Sequence, residues 1–419
     1  MSNTTGTGTG FWESKKRQER VINITLYIIA WAGAIVFVIP LVWMITTSLK
    51  TPTDIFTMPP KWLPISRIKA DYRTEIKAKR SGVVKITRDE EGRLVIDVIK
   101  NRKIVSSHII PKAAKVVTKR GKYVKAGTVL AKLPKTGIVK IIDNGDGTKT
   151  LKILSKKNYL IKEYILPRNT KLYVKDGDLI KVNQKIATVL PQWHNYIEAW
   201  APKGLNETFT RYLINTLIVT ICGIIGVLVS SSFVAYGFAR FRFPFRDPLF
   251  LLMVSTMMIP VQVTMIPTFI LFKYLGWIDT FLPLIVPSFF GVSAFNIFLM
   301  RQFFMTIPYE LDDAAKIDGC NYFQIFYIIL LPLVKPALAT VAIFAFVYNW
   351  NDFLNPLIYL NSSSNYTLAL GLQVFTTMYG SYYHLMMAAS TIVLLPILIV
   401  FFFGQRYFIE GVATSGLKG

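Results

Sequence analysis

The chain contains 419 residues, of which 52% are hydrophobic and 17% are charged. Its mean hydropathy of +0.41 excludes an ordinary soluble globular protein, and the charged fraction indicates that apolar and polar regions are joined in one chain. The net charge of +24 is typical of nucleic-acid-binding proteins when it covers a soluble domain. Here residues 61–200 hold two thirds of the Lys and Arg residues but only half of the Asp and Glu residues, so one segment carries most of the excess.

Apolar segments of about twenty residues recur along the chain, which is the length that an α-helix needs to cross a bilayer. The six predicted spans are Val21–Thr47, Tyr212–Phe233, Leu249–Phe272, Phe281–Met300, Ala337–Leu360 and Leu385–Phe403. The first is too long for a signal peptide, so residues 1–20 are predicted to be a leader and residues 21–60 an uncleaved span with its exit. The expected fold class is an all-α polytopic membrane bundle of six transmembrane helices, with spans two to six in residues 201–404.

Lys and Arg residues are concentrated in the leader, in the connections after spans two and four, and in the tail, residues 405–419. The opposing connections, 272–280 and 361–384, are almost uncharged. Because basic residues in short connections resist translocation, both termini are predicted to be cytoplasmic and the chain to be a multi-pass plasma-membrane protein. This places the basic segment 61–200 outside, which is acceptable because long domains translocate largely regardless of charge.

Residues 61–200 show short β-branched runs separated by Gly, Asn and Asp, which predicts a small all-β extracytoplasmic insert. The segments 123–131 and 173–190 echo each other and predict an internal repeat. Their Val, Lys-x-Gly, apolar pattern resembles the barrel-sandwich hybrid modules of biotinyl and lipoyl carriers, but no carrier-lysine hairpin is present, so no covalent cofactor is expected. The lysines are explained either by a solvated surface or by contact with a binding protein, an anionic lipid or a glycan.

The connection after span four, residues 301–336, holds the most informative pattern. Pro308 suits the first position of a helix, and acidic residues at 310, 312 and 313 follow in the opening turn, where the helix dipole favours them. Apolar residues at 307, 311, 314 and 315 share one face that can press against a partner protein. Gly319 permits a turn, and Pro332 with Pro336 ends a second short helix. The pattern predicts a compact folded elbow.

The stretch from Asp313 to Gly319 resembles the coupling motif of binding-protein-dependent ABC importers, which is Glu-Ala-Ala, three residues, Gly, then an apolar run with Leu-Pro. Asp313 stands where Glu is usual, and Cys320 stands where alanine is common. Span one and positions 205–419 resemble the sugar-importing branch, of the maltose and glycerol-phosphate type. The resemblance implies that an elbow within 307–331 transmits ATPase closure to the spans through Glu310, Asp313, Ala314, Ala315, Lys316, Asp318 and Gly319.

The resemblance also implies a second homologous permease subunit, two ATPase subunits and an extracytoplasmic solute-binding protein. Tail residues that would contact the ATPase are Gln405, Arg406 and Glu410. The sequence contains no Gly-x-x-x-x-Gly-Lys-Ser/Thr phosphate loop, so ATP and Mg are expected on partner subunits and no cofactor on this chain. Three scattered histidines support neither a metal site nor a catalytic triad. The chain is therefore predicted to be a transport subunit without enzymatic activity and without a nucleic-acid partner.

Polar side chains within spans usually face neighbouring helices or a wet cavity, because they are costly in hydrocarbon. The predicted solute path consists of Gln262, Asn296, Asn349, Trp350, Asn351, Asp352 and Asn355. Amides and a carboxylate beside aromatic rings suit a sugar, although hydrogen bonds between helices explain these residues about as well. An alternative function is a secondary transporter driven by an ion gradient, which usually shows duplicated halves. A third is an outside β module that is merely anchored, for which one span would suffice.

Overall fold

The computed structural model describes residues 15–202, 207–291, 293–377 and 382–416, with the backbone alone for 15–17, 377 and 406–416. Two compact units are present. The first contains the N-terminal helix up to Ser48 and the chain from His194 onward. The second is Leu49–Trp193.

The first unit is α-helical. Its helices are α1 Lys15–Ser48, α2 His194–Trp200, α3 Phe209–Arg240, α4 Arg246–Ser255, α5 Val261–Tyr274, α6 Leu282–Ile285, α7 Ala294–Thr306, α8 Glu310–Ile317, α9 Tyr322–Gln324, α10 Leu331–Leu333, α11 Lys335–Asn351, α12 Leu354–Tyr359, α13 Leu368–Gly371, α14 Val374–Thr377 and α15 Tyr383–Gly416. Short 3₁₀ turns cover Thr256–Met258, Val286–Phe290 and Ser363–Asn365, and a π-helical turn covers Ile325–Leu330.

Four helical segments in the described residues are long and apolar enough to cross a membrane. They are Gln18–Ser48, Phe209–Arg240, Leu282–Thr306 and Tyr383–Gln405. Two further spans arise if each of two bent helix pairs crosses as one unit. These pairs are Arg246–Met258 with Val261–Tyr274, bent by 98°, and Tyr322–Leu333 with Lys335–Asn351, bent by 79°. The described chain therefore has between four and six spans.

The segments predicted as spans three and five are broken rather than straight. In the first of them, Ile259 and Pro260 both have extended backbone angles, which ends one helix and starts α5. Proline disfavours helical geometry in the residue before it, so the break has a local cause. In the second, α11 ends at Asn351, and Asp352 is extended before α12 begins.

Helix α3 lies at the centre of the bundle, where α7 and α11 pack along it. Two glycines of α3 allow close approaches, one to the 3₁₀ turn Val286–Phe290 and one to α11. A β-carbon on Gly226 would lie 2.2 Å from Ser288 Oγ, and one on Gly223 would lie 2.9 Å from the amide of Asn349. The half of this core beside residues 301–336 contains small and aromatic side chains of α3, α7 and the segment after α8.

The second unit is a β structure. Its strands are β1 Ser66–Lys69, β2 Glu75–Lys77, β3 Gly82–Arg88, β4 Leu94–Lys100, β5 Lys103–Ile110, β6 Lys115–Val116, β7 Tyr123–Val124, β8 Val129–Lys132, β9 Thr136–Asp143, β10 Lys149–Leu154, β11 Leu160–Leu166, β12 Thr170–Leu172, β13 Leu179–Lys181 and β14 Lys185–Val189. A short 3₁₀ turn, Pro52–Asp54, precedes them.

The strands form two similar modules, each a four-stranded and a three-stranded sheet around one core. In the first module the sheet orders are β5-β4-β3-β7 and β2-β8-β6, and in the second they are β11-β10-β9-β13 and β1-β14-β12. The most N-terminal strand, β1, therefore completes the second module. The pairing of β1 with β14 joins the N-terminal and C-terminal parts of the unit.

The structure contains an internal repeat, but its register differs from the one suggested by the sequence. Gly121 and Gly177 are equivalent, because both have positive φ and donate to the carbonyls of Val84 and Val139, each at 2.8 Å. The sequence echo had instead paired residue 123 with residue 173. The left-handed turn and the strand pairing decide which residues of the two modules are equivalent. The Tyr-Val-Lys sequence that both segments share does not mark equivalent positions.

Candidate functional site

The elbow after α7 contains two helical segments, as its residue pattern predicts. Helix α8 has acidic residues in its first turn and Lys316 in its last turn. The charges at both ends therefore interact favourably with the helix dipole and stabilise the helix. Lys316 Nζ donates to Asp313 Oδ1 at 3.0 Å on the exposed side, and this bond raises the pKa of the Lys316 ammonium. The local sequence accounts for the helix without reference to distant contacts.

Gly319 ends α8 with a left-handed turn. Its φ is +85°, and its N–H donates to Lys316 O at 3.1 Å while Cys320 N–H donates to Ala315 O at 2.9 Å. These two bonds form a Schellman motif, which satisfies carbonyls that the helix end leaves unpaired. Since this φ is unfavourable for residues with a β-carbon, glycine is required by the backbone.

A capping box starts the second helical segment directly after this turn. Asn321 Oδ1 accepts from Gln324 N–H at 2.9 Å, and Gln324 Oε1 accepts from Asn321 N–H at 2.7 Å. The Asn-x-x-Gln spacing was the available signal for this helix start. The segment continues as the π-helical turn 325–330 and then α10. The elbow is therefore fixed on both sides of Gly319.

The side chains of the elbow divide into an inward and an outward set. Asp312 and Ala315 are buried against the chain itself. Ala315 was predicted to couple to the ATPase and Asp312 was not. The six other predicted coupling residues are exposed: Glu310, Asp313, Ala314, Lys316, Asp318 and Gly319. The predicted apolar face is split, because residues 307 and 315 pack inward whereas 311 and 314 face outward.

The outward side combines apolar and acidic groups, and we call it the coupling surface. It comprises the exposed side chains of Glu310, Leu311, Asp313, Ile317, Phe323 and Tyr327. Ile317 is 87% exposed and Phe323 is 75% exposed. Exposed apolar side chains that accompany acidic ones in one short segment are typical of a protein-binding surface.

The inward side of the elbow is attached to the end of α3. Arg240 Nε lies 3.6 Å from Asp312 Oδ2, and its guanidinium carbon lies 4.5 Å from the ring centre of Tyr309. Arg240 Nη2 donates to Ile307 O at 2.9 Å, and Tyr309 Oη donates to Ala239 O at 2.8 Å. Burial raises the pKa of the Asp312 carboxyl, and Arg240 opposes that shift. The sequence did not predict this contact.

Three of the predicted solute-path residues meet where α11 ends. Asp352 accepts from Asn355 N–H at 3.2 Å and from Asn355 Nδ2 at 2.9 Å. Asn351, Asp352, Tyr348 and Phe353 line a cleft of about 450 Å³ together with Val347 and Leu354. Tyr348 was not predicted, although its position three residues before Asn351 puts it on the same helix face.

The other predicted path residues lie elsewhere. Trp350 is 2% exposed and donates from Nε1 to Val393 O at 3.1 Å. Asn349 Nδ2 donates to Ala345 O at 2.7 Å within its own helix, and Asn296 Nδ2 donates to Ser293 Oγ at 2.7 Å. Gln262 is exposed on α5. Trp350, Asn349 and Asn296 therefore have hydrogen-bond partners within the protein, and none of the four residues lines the cleft.

In the predicted tail, Gln405 is exposed and donates from Nε2 to Phe402 O at 3.1 Å. Arg406 and Glu410 belong to α15, and their side chains lie outside the described residues.

Two connections on the side opposite the elbow are joined through Asp279. Its Oδ1 accepts from the N–H groups of Asn361 and Ser362, each at 2.9 Å, and its Oδ2 accepts from Ser362 Oγ. Asn365 Nδ2 donates to Asp279 O at 2.8 Å. The bonds from Ser362, with those from Asn361 and Asn365, lower the pKa of the Asp279 carboxyl to about 2. An ionised carboxylate therefore holds the connections together.

Comparison with known proteins matches residues 223–414 to the family described as "Binding-protein-dependent transport system inner membrane component". The arabinooligosaccharides transport system permease protein AraQ of Halalkalibacterium halodurans is 38% identical over 225 residues, which are 54% of this chain and 79% of the relative. The sn-glycerol-3-phosphate transport system permease protein UgpE of Rhizobium meliloti is 38% identical over 182 residues, 43% of this chain and 64% of the relative.

Among solved structures, a bacterial ABC transporter involved in the import of the acidic polysaccharide alginate covers 52% of this chain and 82% of its own, with 26% identity and a TM-score of 0.46. The residues of the β unit precede the matched family region. With an elbow of this construction inside the matched region, and with AraQ matched over more than two thirds of its length, the chain belongs to the inner-membrane permease components of binding-protein-dependent ABC transport systems.

Proposed function

We propose that the chain is the permease subunit of an ABC importer that carries a sugar or sugar derivative, and that separate ATPase subunits drive it through the coupling surface. Relatives named for arabino-oligosaccharide and sn-glycerol-3-phosphate transport support this solute class. In the same proposal the chain is a multi-pass plasma-membrane protein with six spans, both termini in the cytoplasm and the β unit outside.

The observation that carries the proposal is the two-sided construction of the elbow. One side presents exposed apolar and acidic groups, whereas the other side is fixed to α3 by Arg240 and Tyr309. A flexible loop could bind a partner but could not transmit its movement. A short helix that ends in a Schellman turn and rests on a central helix can do both.

The remaining components follow from this role. Two ATPase subunits would bind ATP and Mg, a second homologous permease would complete the path, and an extracytoplasmic binding protein would deliver the solute. Exposed apolar side chains on α1, α4 and α5 suit contact with lipid or with the second permease.

The cleft at the break after α11 is the proposed solute contact on this chain. Its exposed Asn351 amide and the neighbouring Asp352 carboxylate can bind hydroxyl groups, and Tyr348 with Phe353 can lie against an apolar sugar face. Trp350 is buried and Asn349 is half-buried, and their hydrogen bonds to backbone carbonyls give them a packing role beside the cleft.

The proposal is tested by replacing Gly319. Proline cannot adopt a positive φ and lacks the N–H that donates to Lys316, so Gly319→Pro should abolish ATP-driven uptake while the chain still inserts into the membrane. Gly319→Ala, which keeps the N–H and costs roughly 1–2 kcal/mol, is the matched control and should retain part of the uptake. Unchanged uptake in Gly319→Pro vesicles would contradict the proposal.

A secondary transporter would give a different result. Its uptake would continue without the ATPase subunits and would collapse when a proton or sodium ionophore removes the ion gradient. The same vesicles can be used for this measurement.

A further inference from the structure

The contact between Arg240 and Asp312 is a buried ion pair at the cytoplasmic end of α3. The Arg240 side chain is 2% exposed and that of Asp312 is 8% exposed. Taking both charges out of water is costly, and apolar side chains of similar size often give equal or greater stability. A buried pair at this position therefore calls for a reason other than stability.

The geometry shows that charge, and not a hydrogen bond, holds this pair together. The 3.6 Å separation of Arg240 Nε and Asp312 Oδ2 is too long for a hydrogen bond. Arg240 Nε and Nη1 and Asp312 Oδ1 also make no hydrogen bond to another described side chain or backbone group. The remaining attraction comes from the opposite charges and from the Tyr309 ring against the guanidinium.

Hydrogen bonds on both sides of α8 attach the elbow to the last turns of α3. Before α8, Arg240 donates to Ile307 O, and Tyr309 donates to Ala239 O. After α8, Tyr236 Oη donates to Tyr322 O at 3.0 Å. With the buried pair in the middle, α8 cannot rotate on α3 without breaking several contacts.

The opposite end of α3 is attached to a different part of the bundle. Asn215 Nδ2 donates to Ser364 O at 2.8 Å and to Tyr366 O at 2.9 Å, and Thr216 Oγ1 accepts from Leu368 N–H at 2.8 Å. A helix of 32 residues is about 48 Å long. Helix α3 therefore connects the elbow with the connection 361–367, which Asp279 also holds.

We propose that Arg240 and Asp312 form the joint that makes α8 and α3 move as one rigid body, so that displacement of the elbow by the ATPases reaches the connection 361–367. The inference rests on the proposed function and deepens it. Both are positioning residues, since neither lies on the coupling surface or in the solute cleft.

The test compares the assembled transporter, with its ATPase subunits and binding protein in liposomes, carrying either the wild-type chain or Asp312→Asn. Asparagine keeps the size and polarity of the side chain but removes the charge. The measurements are the uptake of arabino-oligosaccharide and of sn-glycerol-3-phosphate, the ATP hydrolysed, and the amount of assembled complex. The solute carried per ATP should fall roughly threefold to tenfold in the variant, while assembly is retained.

The matched control is Asp247→Asn, which removes the exposed ion pair with Arg246 near the same end of α3. The solute carried per ATP in this variant should equal that of the wild type. If Asp312→Asn does not assemble, Arg240→Gln removes the charge from the other side of the pair and should also lower the ratio.

A wild-type ratio in the assembled Asp312→Asn complex, or in Arg240→Gln when the first variant does not assemble, overturns the inference and leaves the proposed function intact. A wild-type complex that takes up either solute without hydrolysing ATP contradicts the proposed function instead. The two failures are therefore distinguishable.

Discussion

The two ends of α3 are attached to the rest of the bundle in different ways. At the elbow, a buried charge pair and an aromatic ring hold Arg240. At the opposite end, Asn215 and Thr216 make neutral hydrogen bonds to a connection whose other support is the partly exposed Asp279. Breaking a buried neutral hydrogen bond costs about 1–3 kcal/mol. Removing one partner of a buried charge pair costs more, about 3–5 kcal/mol. The difference indicates a fixed joint at the elbow and a releasable contact at the opposite end.

Removing one partner of the fixed joint should have the largest effect on stability. Arg240→Met leaves Asp312 buried without its counter-charge and should cost about 3–5 kcal/mol. The double variant Arg240→Met with Asp312→Leu should recover much of the loss, because no buried charge remains. Thermal unfolding of the detergent-purified protein measures both. A double variant as unstable as Arg240→Met would show that packing, and not charge, holds the joint.

Removing the hydrogen bonds at the opposite end should have a smaller effect. Asn215→Ala leaves the carbonyls of Ser364 and Tyr366 without their amide donor, which should cost about 1–3 kcal/mol. Faster hydrogen exchange should appear in residues 361–368 and not in the elbow. Asn351→Ala, whose side chain is exposed on α11, is the control. Equal exchange changes at both ends of α3 would contradict the distinction between them.

The equivalence of the two β modules can be tested with paired glycine variants. Gly121→Ala and Gly177→Ala each place a β-carbon on a left-handed turn with open space around it, so backbone strain alone should cost about 1–2 kcal/mol in each. Lys122→Ala, on an exposed neighbouring residue, is the control. Hydrogen exchange of the full chain should show similar losses in both modules. A loss confined to one module would reject the repeat register.

The smallest expected effect concerns the pH dependence of the releasable contact. Because hydrogen bonds lower the pKa of Asp279 to about 2 from 3.8, its stabilising contribution is complete above pH 3.8 and is lost as the pH falls through about 2. Hydrogen exchange of residues 359–366 should accelerate over this range in the wild type. Asp279→Asn should already exchange faster at neutral pH and show no such step.

Local rules predicted the elbow well, because its features depend on neighbouring residues. The acidic first turn of α8 and the left-handed Gly319 follow from residue type and spacing. The break at Pro260 follows the same kind of rule, although its 98° angle depends on surrounding helices.

Contacts between distant parts of the chain could not be predicted in this way. Arg240 and Asp312 are far apart in sequence, and nothing local marks them as partners. The same holds for strand β1, which pairs with β14 at the other end of its unit. Trp350 was predicted to line the solute path, because an aromatic side chain beside polar residues suggests a binding surface. In the structure its indole N–H donates to Val393 O inside the bundle.

The central claim is that the coupling surface binds an ATP-hydrolysing subunit. A photoreactive phenylalanine at Ile317, whose side chain is highly exposed, can test this in native membranes, with Ile165 in the β unit as the control position. Position 317 should cross-link to a protein that also binds an ATP affinity label, and position 165 should not. An inserted, intact chain whose position 317 captures no ATP-binding protein would contradict the account.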